Sequence, residues 1–358
     1  MSLLSSARAL TVKGFLWLVY YSKLIRSFLY VSNRIQLKKS GNDKMLFPFL
    51  SKREDRNVQI LVYHRINDDQ APFFPGVPTK IFERQMRYLA TDFHPVSLDV
   101  LVERMKKNDI PPNAVAVTLD DGYKDNYVHA YPVFKKYSIP ATIFLATGSI
   151  DSGTPLWHDL VFSAFADTTV PVLEDFGDSK KTYPLATRSD RLKTLESVLK
   201  FLRAQTNENR RYWIEILREK LEITNQTDME NPMMNWEDIK EMHQGGISFG
   251  SHTVTHPVLT RVGMEQVLSE IHESKKAVEK HLGAPVTSFA YPNGKRGDFN
   301  EEIKNVLKDA GYTCAVTTVF GANRRCQDLF ELKRGVPWEQ DLPSFAVKLA
   351  WYQCRSWE

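Results

Sequence analysis

Two short stretches carry residue types that could do chemistry together. The first is Thr118-Leu119-Asp120-Asp121-Gly122, a pair of adjacent carboxylates at the end of the apolar run Ala114-Val115-Ala116-Val117. That run reads as a buried strand, and Gly122 supplies the turn that ends it. Successive strand residues point to opposite faces, so neighbouring Asp residues would send one carboxylate into the core. Both can be kept only if the strand has already broken and each carboxylate has a partner or a task. An ordinary acidic turn is the alternative, because Asp-Gly is common in turns. The second stretch, Gly250-Ser251-His252-Thr253-Val254-Thr255-His256-Pro257, sets two imidazoles four residues apart just beyond a strand. One turn of backbone can aim both at a single ion, although such a pair on its own more often lies at the surface or is simply hydrogen-bonded. Pro257 biases His256 away from extended helix and helps to define the loop. Taken together, two neutral imidazoles and one carboxylate make a three-ligand metal site with an open position for water. The second carboxylate is then left over for proton transfer.

Strand ends must hold these groups. Val58-Gln59-Ile60-Leu61-Val62-Tyr63 reads as a core strand running into His64 and Arg65. A helix through Ile81, Phe82, Met86 and Leu89, a short strand at Pro95-Val96 and a second helix to Lys107 lead to the Asp pair. Tyr123 to Tyr137 is helical in pattern with a kink expected at Pro132, and Ala141 to Leu145 is the next strand. Alternation resumes with a strand at Ile247-Ser248-Phe249 and a helix through Val267, Ile271, Val278 and Leu282 that Gly283 ends. A strand from Thr287 to Tyr291, a helix through Ile303, Val306, Leu307 and Ala310 capped by Gly311, and a strand from Cys314 to Thr318 follow. Repeated strand–helix units predict a parallel α/β fold whose natural closed form is a barrel. In such barrels active residues sit at the C-terminal strand ends, where His64, Asp120, Asp121, His252 and Tyr291 all fall.

Residues 150–230 read differently. Leu192, Leu195, Val198, Leu199 and Leu202 recur at helical spacing, as do Trp213, Ile214, Leu217 and Leu221, which predicts a helical insertion on the barrel rim. The expected organisation is a basic, partly apolar segment and linker over residues 1–57, a barrel over 58–345 and a tail over 346–358.

The net charge of +4 conceals an asymmetry: residues 1–56 carry 11 basic and 3 acidic side chains, a surplus of +8, and the remainder carries −4. A nucleic-acid-binding body should present a basic face, so the charge argues against one. Gly14 to Tyr21 is apolar and aromatic but flanked by Lys13, Lys23 and Arg26, a pattern that suits an interfacial helix better than a spanning one. No small-residue cleavage site follows it. Membrane-surface contact through residues 1–35, on a side left open, is therefore expected, with a cytoplasmic location as the alternative. Cys314, Cys326 and Cys354 are too few and too irregular for a disulfide framework or a Cys-type zinc site.

At this point the chain resembles the polysaccharide deacetylases (NodB-homology, carbohydrate esterase family 4). Thr118 to Gly122 is similar to that family's T/S-F-D-D-G motif, and His252-Thr253-Val254-Thr255-His256 to its H-S/T-x-x-H motif. Phe289 to Gly294 resembles the variant third motif of exopolysaccharide deacetylases, and Tyr63-His64-Arg65 the Y-H-R element of the poly-N-acetylglucosamine deacetylase branch. The likeness covers roughly residues 58–338 apart from most of the insertion. It implies a distorted (β/α)7-type barrel and an N-acetylated glycan as substrate. It also implies one divalent metal held by Asp121, His252 and His256, with Asp120 as general base. Zn²⁺ suits one Asp and two His, while Co²⁺, Ni²⁺ or Fe²⁺ would fit the same ligands. Two departures matter. The family's C-terminal L-x-H motif is here Leu332-Lys333-Arg334, without His, so His64 becomes the candidate acid through the permuted N-terminal element. The third motif lacks its Arg, whose pairing with the base Arg334, ahead of Arg296, is expected to supply. Tyr291 would contribute an oxyanion-hole N–H or a ring beneath the sugar, and Trp157-His158-Asp159 and Trp338 could line the groove.

Two other classes of function share these features. Small amide or imide amidohydrolases use the same fold and Asp-Asp motif, and a non-catalytic carbohydrate-binding descendant would keep the groove. The second has no need of a base beside a metal ligand.

Overall fold

The computed structural model describes residues 57–354, except 70, 151, 178–180, 224–231, 325, 326 and 338. Residues 1–56, which include the segment expected at a membrane surface, lie outside the described residues, as do Cys326 and Trp338. Among the described residues no helix is long and apolar enough to cross a membrane.

The described residues form ten strands: β1 (Gln59–Tyr63), β2 (His94–Pro95), β3 (Ala114–Leu119), β4 (Ala141–Leu145), β5 (Val172–Glu174), β6 (Thr182–Pro184), β7 (Ser248–Ser251), β8 (Ser288–Ala290), β9 (Cys314–Phe320) and β10 (Leu332–Arg334). Seven lie side by side in the order β1-β3-β4-β7-β8-β9-β10, all parallel, and β2 adds to the outside of β3. The ends meet at Gly335, whose carbonyl accepts from Val62 N (3.0 Å) and whose N–H donates to Ile60 O (2.8 Å). The result is a nearly closed α/β barrel, as the strand–helix alternation predicts, with the seven strands that the resemblance implies. β7 and β8 share a single register pair, Ser251 with Phe289, and β1 and β10 are likewise joined by a single bridge, Leu61 with Gly335.

Period-two alternation divides the strands into two packed faces. Ile60, Ala116, Phe144, Ala290, Val316 and Leu332 fill the barrel interior in one cluster. Leu61, Val117, Ile143, Phe289 and Ala315 face outward into the larger cluster that the surrounding helices complete. Both faces are covered, which is why these strands are apolar runs rather than alternating ones. A Cβ at Gly250 would lie 2.5 Å from the Phe144 ring and 2.8 Å from Ser288 O, so only glycine on β7 leaves room for that interior ring. Helix Leu98–Lys107 packs against the strand-start residues Val58, Ala114 and Cys314 and plugs the bottom of the barrel. The C-terminal strand ends are left for chemistry.

Three expectations are amended. Helix Leu342–Cys354 buries Phe345, Ala346, Leu349 and Tyr352, so the packed body runs past residue 345 into what was expected as a tail. The kink expected at Pro132 is replaced by a π-helical stretch, Asn126–Ala130, which runs into helix Tyr131–Tyr137. Pro132 sits in that helix's first turn, directly after the π-helical stretch. The insertion contains helices Trp157–Asp167, Arg188–Arg203 and Asn207–Lys220 around a core of its own, but also the antiparallel pair β5–β6. Leu192 is exposed instead of joining its helix's buried face.

Candidate active site and metal centre

Asp120 extends the inward face of β3 beyond Ala116 and Thr118, and Arg334 extends that of β10 beyond Leu332. Both strands adjoin β1, so these faces converge at the barrel mouth. Arg334 is wholly buried and donates from Nη1 to Asp120 Oδ1 (2.7 Å) and from Nη2 to Asp120 Oδ2 (2.6 Å), a planar fork on a carboxylate. Its remaining bonds reach Thr118 Oγ1 (3.1 Å) and Thr317 O (2.7 Å), and its Cζ stands 5.9 Å from the centre of the Phe144 ring. The expected pairing therefore belongs to Arg334; Arg296 is exposed on a loop. Burial raises the Asp120 pKa, but the Arg334 guanidinium more than offsets it and leaves the carboxyl below its ordinary value.

Asp121 departs from the strand. Its φ of 77° lies in the left-handed region, followed by 87° at Gly122. This twist lets both carboxylates serve the barrel mouth instead of opposite faces. Asp121 Oδ1 lies 3.5 Å from His252 Nε2 and 3.5 Å from His256 Nε2, and the two nitrogens are 3.2 Å apart. All three residues are buried. Atoms in such a triangle share a point about 2.0 Å from each, the length of a zinc–nitrogen or zinc–oxygen bond. His252 Nδ1 stands 2.7 Å from Ala290 O, which can only accept, so the proton sits on Nδ1 and Nε2 keeps its lone pair for a cation. Asp121 Oδ1 and His256 Nδ1 are buried with no hydrogen-bond partner among the described residues. An unsatisfied carboxylate oxygen converging with two imidazoles is the donor set of a divalent cation.

Electrostatics agree with that. Burial raises the Asp121 carboxyl, yet His252 and His256 hold it far below the usual range. Burial, reinforced by His252, pushes His256 well below its ordinary value and keeps its ring neutral, as a ligand must be. Burial also opposes charge on His252, but the Asp121 carboxylate draws its pKa upward.

The turn between the two His ligands is held in a costly shape. Thr253 (φ 69°) and His256 (φ 54°) are both left-handed, at about 1–2 kcal/mol each for residues with a Cβ. The Thr253 hydroxyl donates to His252 O and accepts from His256 N (3.0 Å). Glu270, buried on helix Met264–Leu282, accepts from Val254 N (2.7 Å), Thr255 N (2.8 Å) and the Thr255 hydroxyl.

His64 follows β1 with its side chain 28% exposed, the most open of these groups, and its Nε2 is 3.9 Å from Asp120 Oδ2. Burial of the ring lowers its pKa, although Asp121 and Asp120 pull it upward. Asn126 donates to His64 O (2.8 Å), and Asp125 accepts from Arg65 Nε (2.9 Å), Ile66 N (3.2 Å) and Asn67 Nδ2 (2.8 Å). Asp125 and the π-helical stretch that follows it thus hold the His64 loop in place.

Five expected residues, Asp120, Asp121, His252, His256 and His64, are brought together with Arg334, and Tyr291 is not. Its ring is fully buried and stacked on Phe299 (4.5 Å), and its phenol donates to Phe330 O (3.0 Å). Its backbone N–H donates to Val316 O (3.2 Å), prolonging the β8–β9 ladder. Neither polar group is available to a substrate, so the groove or oxyanion role expected for Tyr291 is corrected to a structural one. Arg334, expected to pair with the base, does so while wholly buried. Glu270, Asp125 and Asn126 were not foreseen, because polar residues on helical stretches carry no local signal of what they hold.

A parallel α/β barrel with an Asp–His–His cluster and an arginine-paired Asp at its mouth presents a candidate divalent-metal site beside a charged carboxylate. The profile of the polysaccharide deacetylases matches residues 107–315, and the chain belongs to that family. It is 26% identical over 302 residues to YxkH of Bacillus subtilis (strain 168), whose own name as a polysaccharide deacetylase is provisional; the match spans 84% of this chain and 77% of that protein. A shorter match, 36% identity over 80 residues, joins it to the poly-β-1,6-N-acetyl-D-glucosamine N-deacetylase of Staphylococcus aureus (strain MSSA476), covering 22% of this chain and 27% of the relative. The Streptococcus pyogenes deacetylase PplD, solved with acetate, aligns with a TM-score of 0.55 at 20% identity over 82% of this chain and 98% of its own; at that identity the likeness concerns the fold.

Proposed function

We propose that this protein is a divalent-metal-dependent N-deacetylase that hydrolyses the acetamide of an N-acetylated sugar in a polysaccharide or lipid-linked glycan. The products are a free amine and acetate. The observation that carries the reading is the division of labour between adjacent carboxylates: Asp121 faces two imidazoles, whereas Asp120 is held ionised by Arg334. A non-catalytic glycan-binding module has no use for that second arrangement.

Asp121, His252 and His256 would hold the cation, for which Zn²⁺ is our assignment. Bound there, it would acidify a water molecule and polarise the acetamide carbonyl. Asp120 accepts the proton of the attacking water, and its Oδ2, on the side of His64, is the oxygen placed to receive it. Arg334 keeps that carboxylate charged and oriented before the reaction begins. An amine is a poor leaving group until protonated, and His64, the open imidazole across the mouth, donates that proton. Its lowered pKa makes the imidazolium a readier acid.

The test is incubation of purified protein with acetylated chito-oligomers, followed by mass spectrometry. Loss of acetyl groups that stops on chelation and returns with Zn²⁺ or Co²⁺ supports the reading. Oligomers left intact by metal-loaded protein that still hydrolyses small amides would move the assignment to the amidohydrolases. His64→Ala is expected to keep its metal and lose about 10²–10⁴-fold in kcat; near-normal turnover would refute the acid role.

A further inference from the structure

The insertion reaches the metal-ligand turn itself. Trp157 opens helix Trp157–Asp167, and its indole N–H donates to the carbonyl of His256 at 3.2 Å. The guanidinium of Arg210 lies over that indole, 4.9 Å from the ring centroid. Arg210 is buried without a carboxylate partner among its hydrogen bonds; it donates to Leu202 O (3.0 Å), Gln205 O (3.1 Å) and Asn207 Oδ1 (3.0 Å). Asn207 in turn donates through Nδ2 to Thr255 Oγ1 (2.9 Å). One buried cation therefore anchors two arms that end on consecutive residues of the turn, Thr255 and His256. Next to Trp157, the His158 ring stands 5.2 Å from the His256 ring, and its Nε2 is 3.0 Å from the hydroxyl of Tyr123, which follows the Asp-Asp-Gly stretch. The insertion touches both loops that bear the three converging ligands.

We infer that Trp157 is a positioning residue for the metal centre: its indole N–H, backed by Arg210, holds the His256 carbonyl and so keeps the His256 ring aimed at Asp121 and His252. The insertion is then a structural part of the metal site. The physical reason is the backbone of His256, whose left-handed φ of 54° needs outside support. Glu270 clamps the middle of the turn from the barrel side, and Trp157 is the indole donor at its end. This rests on the reading of Asp121, His252 and His256 as metal ligands, but not on the identity of the substrate.

Trp157→Phe keeps a ring beneath Arg210 and removes only the N–H donor and part of the volume. Trp213→Phe is the control, since Trp213 packs within the insertion against Phe176 and Phe201 and reports simple loosening of that core. Affinity for Zn²⁺ and Co²⁺ is read by competition with a chromophoric chelator, and the visible absorption of the Co²⁺-loaded proteins reports ligand geometry. Trp157→Phe is expected to bind either ion about 10–100-fold more weakly, the effect usual for partners that orient ligands, and to alter the Co²⁺ spectrum. Trp213→Phe should change neither. Wild-type affinity and spectrum in Trp157→Phe, or the same loss in both variants, would overturn the inference. Wild-type protein that binds no divalent cation would overturn the metal reading together with it, whereas absence of deacetylation with metal binding intact would leave the inference standing and remove only the substrate assignment.

Discussion

Asp120→Asn should lower kcat about 10²–10⁴-fold while leaving the metal site filled. The amide has the shape of the carboxylate but cannot take up the proton of the attacking water. Asp120 is not among the three converging ligands, so one ion per chain should still bind. The variant must also be compared in stability, because the Arg334 guanidinium is left buried opposite a neutral group. Metal content by elemental analysis, kcat on an acetylated oligomer and Tm on the same preparation separate these effects. Loss of metal in Asp120→Asn would show that the two carboxylates had been assigned the wrong way round.

The second large effect is expected at Arg334. Arg334→Leu removes one partner of a fully buried ion pair and strands Asp120 in the barrel mouth, a change that typically costs about 3–5 kcal/mol. At the roughly 2–4 °C per kcal/mol usual for a domain of 150–250 residues, the fall in Tm is on the order of 10 °C. Turnover should fall as well, since burial alone raises the Asp120 pKa and removes charge from the base. Arg334→Lys keeps the charge but not the fork, so it should recover only part of either property. An unchanged Tm in Arg334→Leu would mean that the pair contributes nothing net. The sign of the pH dependence follows from the same pair. The folded Asp120 pKa is depressed, so its contribution is present above the unfolded value, about 3.9, and is lost as pH falls through the lower folded value.

Local pattern and tertiary contact had separate shares in this protein. Asp120-Asp121-Gly122 and the two His residues were legible because their chemistry is written within a few consecutive residues, each set following a buried strand. The barrel was legible because alternating strand and helix periods admit few closed arrangements. The same locality limited the reading. Arg334 could be favoured over Arg296 only as a residue at a strand end; what decided the matter was that β10 and β3 both flank β1, which carries a side chain 214 positions away onto Asp120. Tyr291 sits at a strand end too, and there the position misled. Its neighbours Phe299, Phe330 and Val316 take its ring, hydroxyl and N–H inward, and no local pattern reveals which way such a side chain turns. The C-terminal helix was missed because its apolar face acquires meaning only against the barrel it covers. The insertion is the clearest case: its helical spacing was plain, but Trp157 under His256 and Asn207 beside Thr255 depend on where the chain returns after folding. Residue types set which groups could bind a cation and move a proton. Folding set which of them face one another, because hydrogen bonds between distant residues follow strand order and packing, which no local window of sequence contains.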